Sequence, residues 1–331
     1  MGKELDQGEN KVSIIIPTYN RMTLVCQCLE SLQGLSYHHY EVLVIDDASD
    51  DQTADLLQAR FKDITIIRNS KRRGPAYCKN QGILKSRGQY LWFLDSDSVI
   101  VDKECLGAMV QLLQQDQKIG CIGGEMVEEG GKNLLRIDGY TLSEKVPIDE
   151  NSKYGFTMRK VRSLMTCNLC TRKELLMQVG GFDNNYFYIS EDTDICVRIH
   201  ALGYDIILDY RTLVLHRYSR VARKSNYYLL FRNEIRSAVK NEGMAKGLLS
   251  EPGRMFGNII RASRKKTIKD APGSIHNTPL GAGKGSIYWR LGWLAINIMT
   301  AFLFAYGWNL LMLYKTLCID KKINYLKITA L

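Results

Sequence analysis

The sequence predicts an α/β fold built on a doubly wound sheet, and three observations lead to that fold class. Short β-branched apolar runs alternate with segments of helical spacing from Val12 to Asp95. Each apolar run ends in polar residues, as buried parallel strands do where ligands bind at their carboxyl ends. The chain has 331 residues, 45% of them hydrophobic and 24% charged, which is enough for a sizeable buried core.

The first part of the chain carries the clearest alternation. Val12–Ile16 is β-branched and closed by Pro17, which indicates a buried strand. Met22–Leu35 follows with apolar residues at helical spacing. Because the two patterns then repeat, we expect helices on both faces of one sheet. The remaining elements predicted here are strand Val42–Ile45, strand Ile64–Ile67, helix Pro75–Arg87 and strand Tyr90–Leu94.

Beyond Asp97 the alternation continues more weakly. The segment Glu128–Asn151 is rich in glycine and mixed in charge, which predicts loops and short edge strands. Ser190 is the expected N-cap of a later helix. The elements predicted here are helix Lys103–Gln115, strand Ile119–Gly123, strand Val161–Cys170, helix Glu174–Val179, helix Glu191–Leu202, strand Ile206–Leu208 and strand Leu213–Leu215, which ends at His216.

The charge balance changes sign after His216. Residues 1–216 have a net charge of −5 and residues 217–331 have a net charge of +15. An acidic region suits metal ions and neutral substrates, whereas a basic region suits phosphates, as in a membrane surface or a nucleic acid. Tyr228, Phe231, Ile235 and Val239 form an apolar stripe, which predicts an amphipathic helix in the basic region.

The segment Leu291–Leu313 has 23 residues and no charge, which predicts a membrane helix, since about 20 apolar residues span a bilayer. The alternative is a buried core or re-entrant helix, which its polar residues Asn297, Thr300 and Asn309 would suit. Because basic residues before the segment outnumber the four lysines after it, we expect the α/β domain at the cytoplasmic face. The predicted divisions are a tail at 1–10, the α/β domain at 11–220, a basic helical region at 221–264, a linker at 265–287 and a membrane-associated segment at 288–331.

The cysteines indicate reduced thiols. They are odd in number, nine, and the N-terminus lacks the apolar stretch of a secretory signal. The spacing of Cys167 and Cys170 also admits a zinc or redox site, but no second pair completes a four-ligand set, so a structural role is favoured.

Two groups of carboxylates follow predicted strands. Asp95 and Asp97 flank Ser96, and residues at i and i+2 on an extended chain point the same way. Such a pair suits Mg²⁺ or Mn²⁺ bridging a diphosphate, although an ordinary turn also uses aspartates. Asp46 and Asp47 could accept hydrogen bonds from a nucleobase or ribose. Capping of the next helix by Ser49 or Asp50 is the alternative for that turn.

Glu191 and Asp192 open a predicted helix, whose dipole alone would favour carboxylates there. The functional interpretation makes Asp192 a general base, because an aspartate at a rigid helix start can reach an acceptor hydroxyl. His216, at a strand end, is either a satisfied polar residue or the third ligand of a metal shell.

Taken together, these segments resemble family 2 glycosyltransferases over residues 11–240. The motifs in order are SIIIPTYNR at 13–21, VIDDASDDQT at 44–53, GPAYCKNQGI at 74–83, YLWFLDSDSVI at 90–100, GGFDNNYFYISEDTDICVRIHALGY at 180–204 and VLHRYS at 214–219. The resemblance implies a GT-A fold, in which a mixed sheet joins a Rossmann-like nucleotide-binding half to an acceptor half.

The resemblance also implies roles for individual residues. Asp192, next to Glu191, would deprotonate the acceptor hydroxyl, and His216 would face the metal and the diphosphate. Lys79 stands where many members have an arginine before asparagine, and would contact the donor. The residues implied to bind the nucleotide-sugar donor or its Mg²⁺ or Mn²⁺ are Pro17, Thr18, Tyr19, Asp46 or Asp47, Lys79, Asp95, Ser96 and Asp97.

The implied reaction is inverting transfer of a hexosyl or deoxyhexosyl group from a nucleoside-diphosphate sugar to a hydroxyl. We expect a saccharide or lipid-linked acceptor at the membrane, in the synthesis of a surface polysaccharide, lipid-linked glycan or glycoprotein glycan. The alternative is a noncatalytic membrane scaffold that binds sugar nucleotides. A nucleic-acid partner is not expected, because no nucleic-acid-binding module is recognisable.

Overall fold

The structure is a computed structural model, and it describes most of the α/β domain and parts of the C-terminal region. The described residues are 11–124, 126–128, 134–135, 158–217, 227–250, 253 and 299–313. The predicted tail at 1–10, the linker at 265–287 and most of the segment Glu128–Asn151 lie outside them. The chain divides into two compact units, one of residues 1–219 with 324–331 and one of residues 220–323.

The first unit alternates strands and helices in the predicted order. Its strands are β1 (Val12–Thr18), β2 (Tyr40–Asp46), β3 (Ile64–Arg68), β4 (Tyr90–Leu94), β5 (Ser98–Ile100), β6 (Ile119–Gly123), β7 (Met126–Glu128), β8 (Leu134–Leu135), β9 (Met158–Lys160), β10 (Asn168–Arg172), β11 (Asp205–Asp209) and β12 (Val214–His216). Its helices are α1 (Met22–Leu32), α2 (Thr53–Arg60), α3 (Pro75–Lys85), α4 (Cys105–Gln115), α5 (Lys173–Val179) and α6 (Glu191–Ala201).

The strands form a mixed sheet, which confirms the predicted α/β class. The large sheet has the order β3-β2-β1-β4-β10-β6-β11-β9, and a smaller sheet has the order β5-β12-β7-β8. Strands β1 to β4 pair in parallel, whereas β10 runs antiparallel to both β4 and β6. The carboxyl ends of β1, β2 and β4 therefore lie along one edge, where ligands bind in folds of this kind.

Two apolar cores cover the two faces of the large sheet. Alternate residues of β1 point to opposite faces, so Ile14 packs in the core that contains α1 and α4, and Ile15 in the core that contains α3, α5 and α6. Helix α3 lies close against the sheet, since a Cβ on Gly82 would come within 2.4 Å of Ile15 Cγ2. This close approach fixes the position of the residues that α3 carries.

The structure differs from the predicted elements in two places that matter for the site. The segment Val161–Cys170 is not a single strand, because the chain crosses from β9, paired with β11 at the edge, to β10 in the middle of the sheet. Residues 161–167 make that crossing. The short strand β5, directly after Asp97, was not predicted.

The second unit contains α7 (Tyr227–Glu242), a π-helical turn at Lys246–Ser250 and a helix at residues 299–311. The apolar stripe of α7 supplies Phe231, Ile235 and Val239 to a small core, which Phe302 and Ala305 complete.

The prediction of a membrane helix at Leu291–Leu313 is wrong. Within the described ranges, no helix has both the length and the apolar character needed to cross a membrane. Residues 291–298 lie outside those ranges. The helix at 299–311 instead uses part of its apolar face for packing against α7, and the amide of Asn309 donates hydrogen bonds to the carbonyl oxygens of Ala305 and Arg232. Hydropathy alone does not separate these two uses of an apolar segment.

Candidate active site

Three residues that could bind a metal ion come together at the end of β4. One ligand atom from each of Asp95, Asp97 and His216 lies within 4.8 Å of the other two. His216 Nε2 is 3.1 Å from Asp97 Oδ1 and 3.7 Å from Asp95 Oδ2. The pairing of β12 with β5 causes this approach, because it sets His216 opposite Ser98. The backbone N–H of Arg217 also donates to the carbonyl oxygen of Asp97, at 2.8 Å.

The chemistry of this cluster fits a divalent cation. Two carboxylates and one imidazole converge on a small volume, and oxygen-rich sets of this kind bind Mg²⁺ or Mn²⁺. Burial lowers the pKa of His216, but hydrogen bonds to Asp95 and Asp97 outweigh burial and raise it to about 9. Burial raises the pKa of Asp95, yet the hydrogen bond from His216 and the charge of Lys79 bring it below its usual range. Asp95 thus stays ionised, and a cation bound at this cluster would displace the proton from the His216 imidazole.

Arg21 also belongs to this cluster. Its Nη1 donates to Asp97 Oδ2 at 2.7 Å, and the Asp97 side chain is fully buried. Arg21 directly precedes α1, so the end of β1 and the end of β4 are joined by this ion pair. Arg21 was not predicted from the sequence to belong to the site, although it follows closely after the residues implied to line the nucleotide.

A second pair of carboxylates begins α6. Burial, followed by the charge of Glu191, raises the pKa of Asp192 to about 7, whereas the charge of Lys79 opposes that rise. Asp192 Oδ1 accepts a hydrogen bond from the backbone N–H of Thr193 at 2.9 Å. A carboxylate with a pKa near neutrality can take up a proton during a reaction.

The metal cluster and the α6 carboxylates lie near one another. The thiol of Cys167 is buried, and its pKa is raised well above the usual value, first by burial and then by the charges of Asp95, Asp192 and Asp97. The charges of all three carboxylates therefore act on one buried thiol. The cysteines of the described region are free thiols, and within it the cluster with His216 is the candidate metal group, so Cys167 and Cys170 have no zinc partner set there.

Lys79 is not at the surface of the site. Its side chain is 2% exposed, and its Nζ donates to Glu191 Oε1 at 2.9 Å and to the hydroxyl of Thr166. The residue was expected to contact the donor, and in the structure it contacts the start of α6. Thr166 was not singled out from the sequence, because nothing in its local pattern marks it.

The residues implied to bind the nucleotide lie at the ends of β1 and β2. Pro17 and Tyr19 are half-buried, and the Arg72 guanidinium stacks over the Tyr19 ring at 4.2 Å. Thr18 is buried, and among the described residues nothing hydrogen-bonds its hydroxyl oxygen. Ser96, which lies between Asp95 and Asp97 in the sequence, is also buried. The Thr18 hydroxyl is therefore available to a ligand.

The two aspartates after β2 are buried and engaged within the protein. Asp47 accepts hydrogen bonds from the backbone N–H groups of Arg73 and Gly74, at 2.8 and 2.7 Å, and from the amide of Asn69. Asp46 accepts one from the backbone N–H of Ser49 and pairs with Arg68. Contact of either aspartate with a base stays a prediction.

The alternative role for Ser49 and Asp50 is wrong, because α2 begins at Thr53, with Gln52 in the N-cap position. The Ser49 hydroxyl accepts a hydrogen bond from the backbone N–H of Asn20. The Asn20 amide donates one to Asp50 Oδ1, and the backbone N–H of Asp50 donates one to Asn20 Oδ1. These contacts tie the loop after β1 to the loop after β2.

A model of the family described as glycosyl transferase family 2 matches residues 13–179. An uncharacterized glycosyltransferase of Haemophilus influenzae is 30% identical over 175 residues, which are 51% of this chain and 55% of the relative. A GalNAc(5)-diNAcBac-PP-undecaprenol beta-1,3-glucosyltransferase of Campylobacter jejuni is 30% identical over 156 residues, 45% of this chain and 48% of the relative. The chain thus spans about half the length of each of these two relatives.

Solved structures show the same fold. The crystal structure of Staphylococcus aureus TarS 1-349 superposes with a TM-score of 0.55 at 19% identity, covering 89% of this chain and 80% of that one. The mannosyltransferase PcManGT of Pyrobaculum calidifontis, solved with GDP-Man and Mn²⁺, has a TM-score of 0.55 at 18% identity, covering 90% of this chain and 86% of that one.

Proposed function

Because this chain belongs to glycosyl transferase family 2, we propose that it transfers a sugar from a nucleoside-diphosphate donor to an acceptor hydroxyl with inversion. The proposal is based on two carboxylate groups that lie near each other and whose pKa values are shifted in opposite directions. Asp95 and Asp97 converge with His216 on a cation-binding arrangement, and nearby Asp192 has a pKa of about 7. One group would hold the donor diphosphate through a cation, and the other would accept a proton.

Asp95, Asp97 and His216 would hold the divalent cation, with Arg21 orienting Asp97. When bound there, the cation would neutralise the charge that develops on the departing nucleoside diphosphate. We propose Mn²⁺ in preference to Mg²⁺, because an imidazole nitrogen is a softer ligand than a carboxylate oxygen. The mannosyltransferase neighbour was solved with Mn²⁺.

Asp192 would be the general base. The acceptor oxygen attacks the anomeric carbon, its proton passes to Asp192, and the bond from that carbon to the diphosphate oxygen breaks, with the electron pair leaving on the diphosphate. A single displacement of this kind inverts the anomeric centre and needs no covalent enzyme intermediate. A base whose pKa lies near neutral pH is both deprotonated enough and basic enough for this role.

Pro17, Thr18 and Tyr19 would line the nucleotide, with Asp46 or Asp47 at its base and Ser96 beside Asp95. The buried Thr18 hydroxyl, which no described group hydrogen-bonds, supports this part of the proposal. The TarS neighbour was solved with UDP and with UDP-GlcNAc, which makes UDP-hexoses the first donors to test.

For the acceptor we propose a saccharide, free or lipid-linked, at the cytoplasmic face of a membrane. The name of the Campylobacter jejuni relative describes an undecaprenol diphosphate-linked acceptor, and a Staphylococcus aureus relative is named poly-beta-1,6-N-acetyl-D-glucosamine synthase. The net charge of +15 on residues 217–331 suits anionic headgroups and diphosphates. Surface polysaccharide, lipid-linked glycan or glycoprotein glycan synthesis is the corresponding process.

The test is turnover of a donor panel by the full chain. UDP-GlcNAc, UDP-GalNAc, UDP-glucose, UDP-galactose and GDP-mannose are each incubated with Mn²⁺, with Mg²⁺ or with a chelator, and free UDP or GDP is measured. We expect cation-dependent release from one donor, and proton NMR of the glycoside product should show an inverted anomeric configuration. Nucleotide binding without turnover of any donor, with acceptors present, would instead favour the noncatalytic scaffold.

A further inference from the structure

Lys79 is a buried cation that joins α3 to the first residue of α6. Its ammonium can donate three hydrogen bonds, and two of them go to Glu191 Oε1 and the Thr166 hydroxyl. The second oxygen of Glu191 is buried, and no described group hydrogen-bonds it. Within the described region, Lys79 is therefore the charge that compensates the buried Glu191 carboxylate.

The same helix also holds the segment that leads into α6. Asn80 is fully buried, and its amide exchanges two hydrogen bonds of 2.8 Å with the backbone of Phe182. Gly74, just before α3, has a φ of +87°, and a Cβ there would lie 2.6 Å from the Phe187 ring. Helix α3 and its entry thus touch this segment near Phe182, Phe187 and Glu191.

The backbone just before α6 is in an unfavourable conformation. Phe187, Ile189 and Ser190 have φ angles of 63°, 71° and 70°, in the left-handed region that non-glycine residues rarely adopt. Such a conformation persists only where the surrounding structure imposes it. The contact of Lys79 with Glu191 comes directly after these three residues and is placed to hold the first turn of α6.

We propose that Lys79 is a positioning residue, which fixes Glu191 and thereby the Asp192 carboxylate, and that it does not bind the donor. The proposal rests on the function proposed above for Asp192. Its distinguishing claim is that loss of Lys79 disturbs the start of α6 and the catalytic step, and leaves nucleotide affinity unchanged.

The charges around Asp192 support the same role. The leading charge effects on the Asp192 carboxyl come from Glu191 on α6, Lys79 on α3 and Asp95 after β4, and of these three Lys79 is the cation. Without Lys79, the charges of Glu191 and Asp95 would act on the Asp192 carboxyl without the opposing charge of the ammonium, and the pKa of Asp192 would rise. The acid limb of the activity profile would then move to higher pH.

Hydrogen–deuterium exchange tests the positional claim without any turnover. We expect Lys79→Met to speed exchange in peptides covering residues 187–196, and Lys79→Arg to restore much of the protection. Lys85→Met is the matched control, because Lys85 is an exposed lysine in the last turn of the same helix. If exchange in 187–196 is the same in Lys79→Met as in the control, the proposal is overturned.

Nucleotide binding separates a positioning residue from a donor ligand. Titration calorimetry with UDP and Mn²⁺ should give Kd values for Lys79→Met and wild type that agree within about a factor of three. Weakening of UDP binding by more than about tenfold, as expected for loss of a diphosphate ligand, would contradict the proposal.

Kinetics on the donor identified by the panel complete the test. We expect kcat of Lys79→Met to fall about 100-fold, as misplacement of a reacting group by about 1 Å can cause. The KM for the donor should stay unchanged and the acid limb should shift upwards. Because Lys79 acts through Glu191, the double variant Lys79→Met/Glu191→Gln should be no slower than the slower single variant.

The double variant also removes both buried charges, so it keeps the test usable if Lys79→Met alone does not fold. Full additivity of the two losses would sink the proposal. If the wild type consumes no donor, the proposed function fails, while hydrogen–deuterium exchange still decides whether Lys79 holds the start of α6.

Discussion

The two carboxylate groups of the site lie close together and have opposite electrostatic surroundings. At the end of β4, the imidazole of His216 and the charges of Lys79 and Arg21 outweigh burial and hold the pKa of Asp95 below its usual range. At the start of α6, burial and Glu191 outweigh Lys79 and raise the pKa of Asp192 to about 7. The same residue type thus stays ionised in one place and can exchange a proton near neutral pH in the other.

This difference supports the two roles proposed above. A carboxylate that stays charged suits a cation, whereas one poised near neutral pH suits proton transfer, and pairs of groups whose pKa values are driven apart mark acid–base sites. The neighbours that create the difference come from separate parts of the chain, since Arg21 precedes α1, His216 ends β12 and Lys79 lies on α3. Changes to each group should therefore have separable consequences.

The largest effect is expected from Asp192→Asn, which removes the base and keeps the shape of the side chain. We expect kcat to fall by about 10³-fold, within the range that general acid–base catalysis contributes. The affinity for UDP with Mn²⁺ should stay within about a factor of three, because Asp192 acts on the acceptor. Steady-state kinetics and calorimetry measure the two quantities.

Asp55→Asn is the control for that variant, because Asp55 is an exposed acid on α2. It should behave as wild type in both measurements. Turnover by Asp192→Asn at the wild-type rate on the true acceptor would show that the base is another residue.

Asp97→Asn should weaken binding of the cation proposed for Asp95, Asp97 and His216. Asp97 is the carboxylate that meets both His216 and Arg21, so its loss should weaken Mn²⁺ binding by at least about tenfold, as measured by electron paramagnetic resonance of free Mn²⁺. Activity should fall by about 100-fold and recover in part at high Mn²⁺ concentration. Normal Mn²⁺ affinity in this variant, or an equal loss in Asp192→Asn, would contradict the division of roles.

The pH dependence of kcat/KM should follow the ionisation of the Asp192 carboxyl. The deprotonated carboxylate is the active form, so activity should rise about tenfold per pH unit below pH 7 and level off above it, given a pKa of about 7. At pH 5 the rate should be about 100-fold below the plateau. A rate that is flat between pH 5 and pH 8 would mean that Asp192 does not act as the base.

The local sequence pattern predicts those features of the site that depend on a single strand. Asp95 and Asp97 follow an apolar strand at a spacing that points both carboxylates the same way, and the structure brings them together with His216. The approach of His216 depends on β5 and β12, two strands of three residues each, whose pairing leaves no periodic signal in the sequence.

The remaining features depend on contacts between distant segments. Glu191 lies 112 positions after Lys79, and nothing near Lys79 indicates that its ammonium is buried against it. The segment at 291–313 has the composition of a membrane helix, yet its described part packs against α7 through Phe302 and Ala305. In both cases the local sequence is compatible with more than one environment for a residue or segment. Contacts with a distant segment determine which environment it occupies.

The smallest effect on catalysis is expected from Asp47→Asn. This variant tests whether Asp47 stabilises the loop that precedes α3 or contacts the nucleobase of the donor. The NH₂ of the introduced asparagine would replace a carboxylate oxygen that accepts a hydrogen bond from the backbone N–H of Arg73 or Gly74. Two donors would then face each other. An unsatisfied buried donor costs about 1–3 kcal/mol. The apparent Tm should fall by several degrees, since about 1 kcal/mol shifts Tm by about 2–4 °C in a domain of this size. UDP affinity should change less than about threefold. A large loss of UDP binding at unchanged Tm would instead indicate that Asp47 contacts the nucleobase.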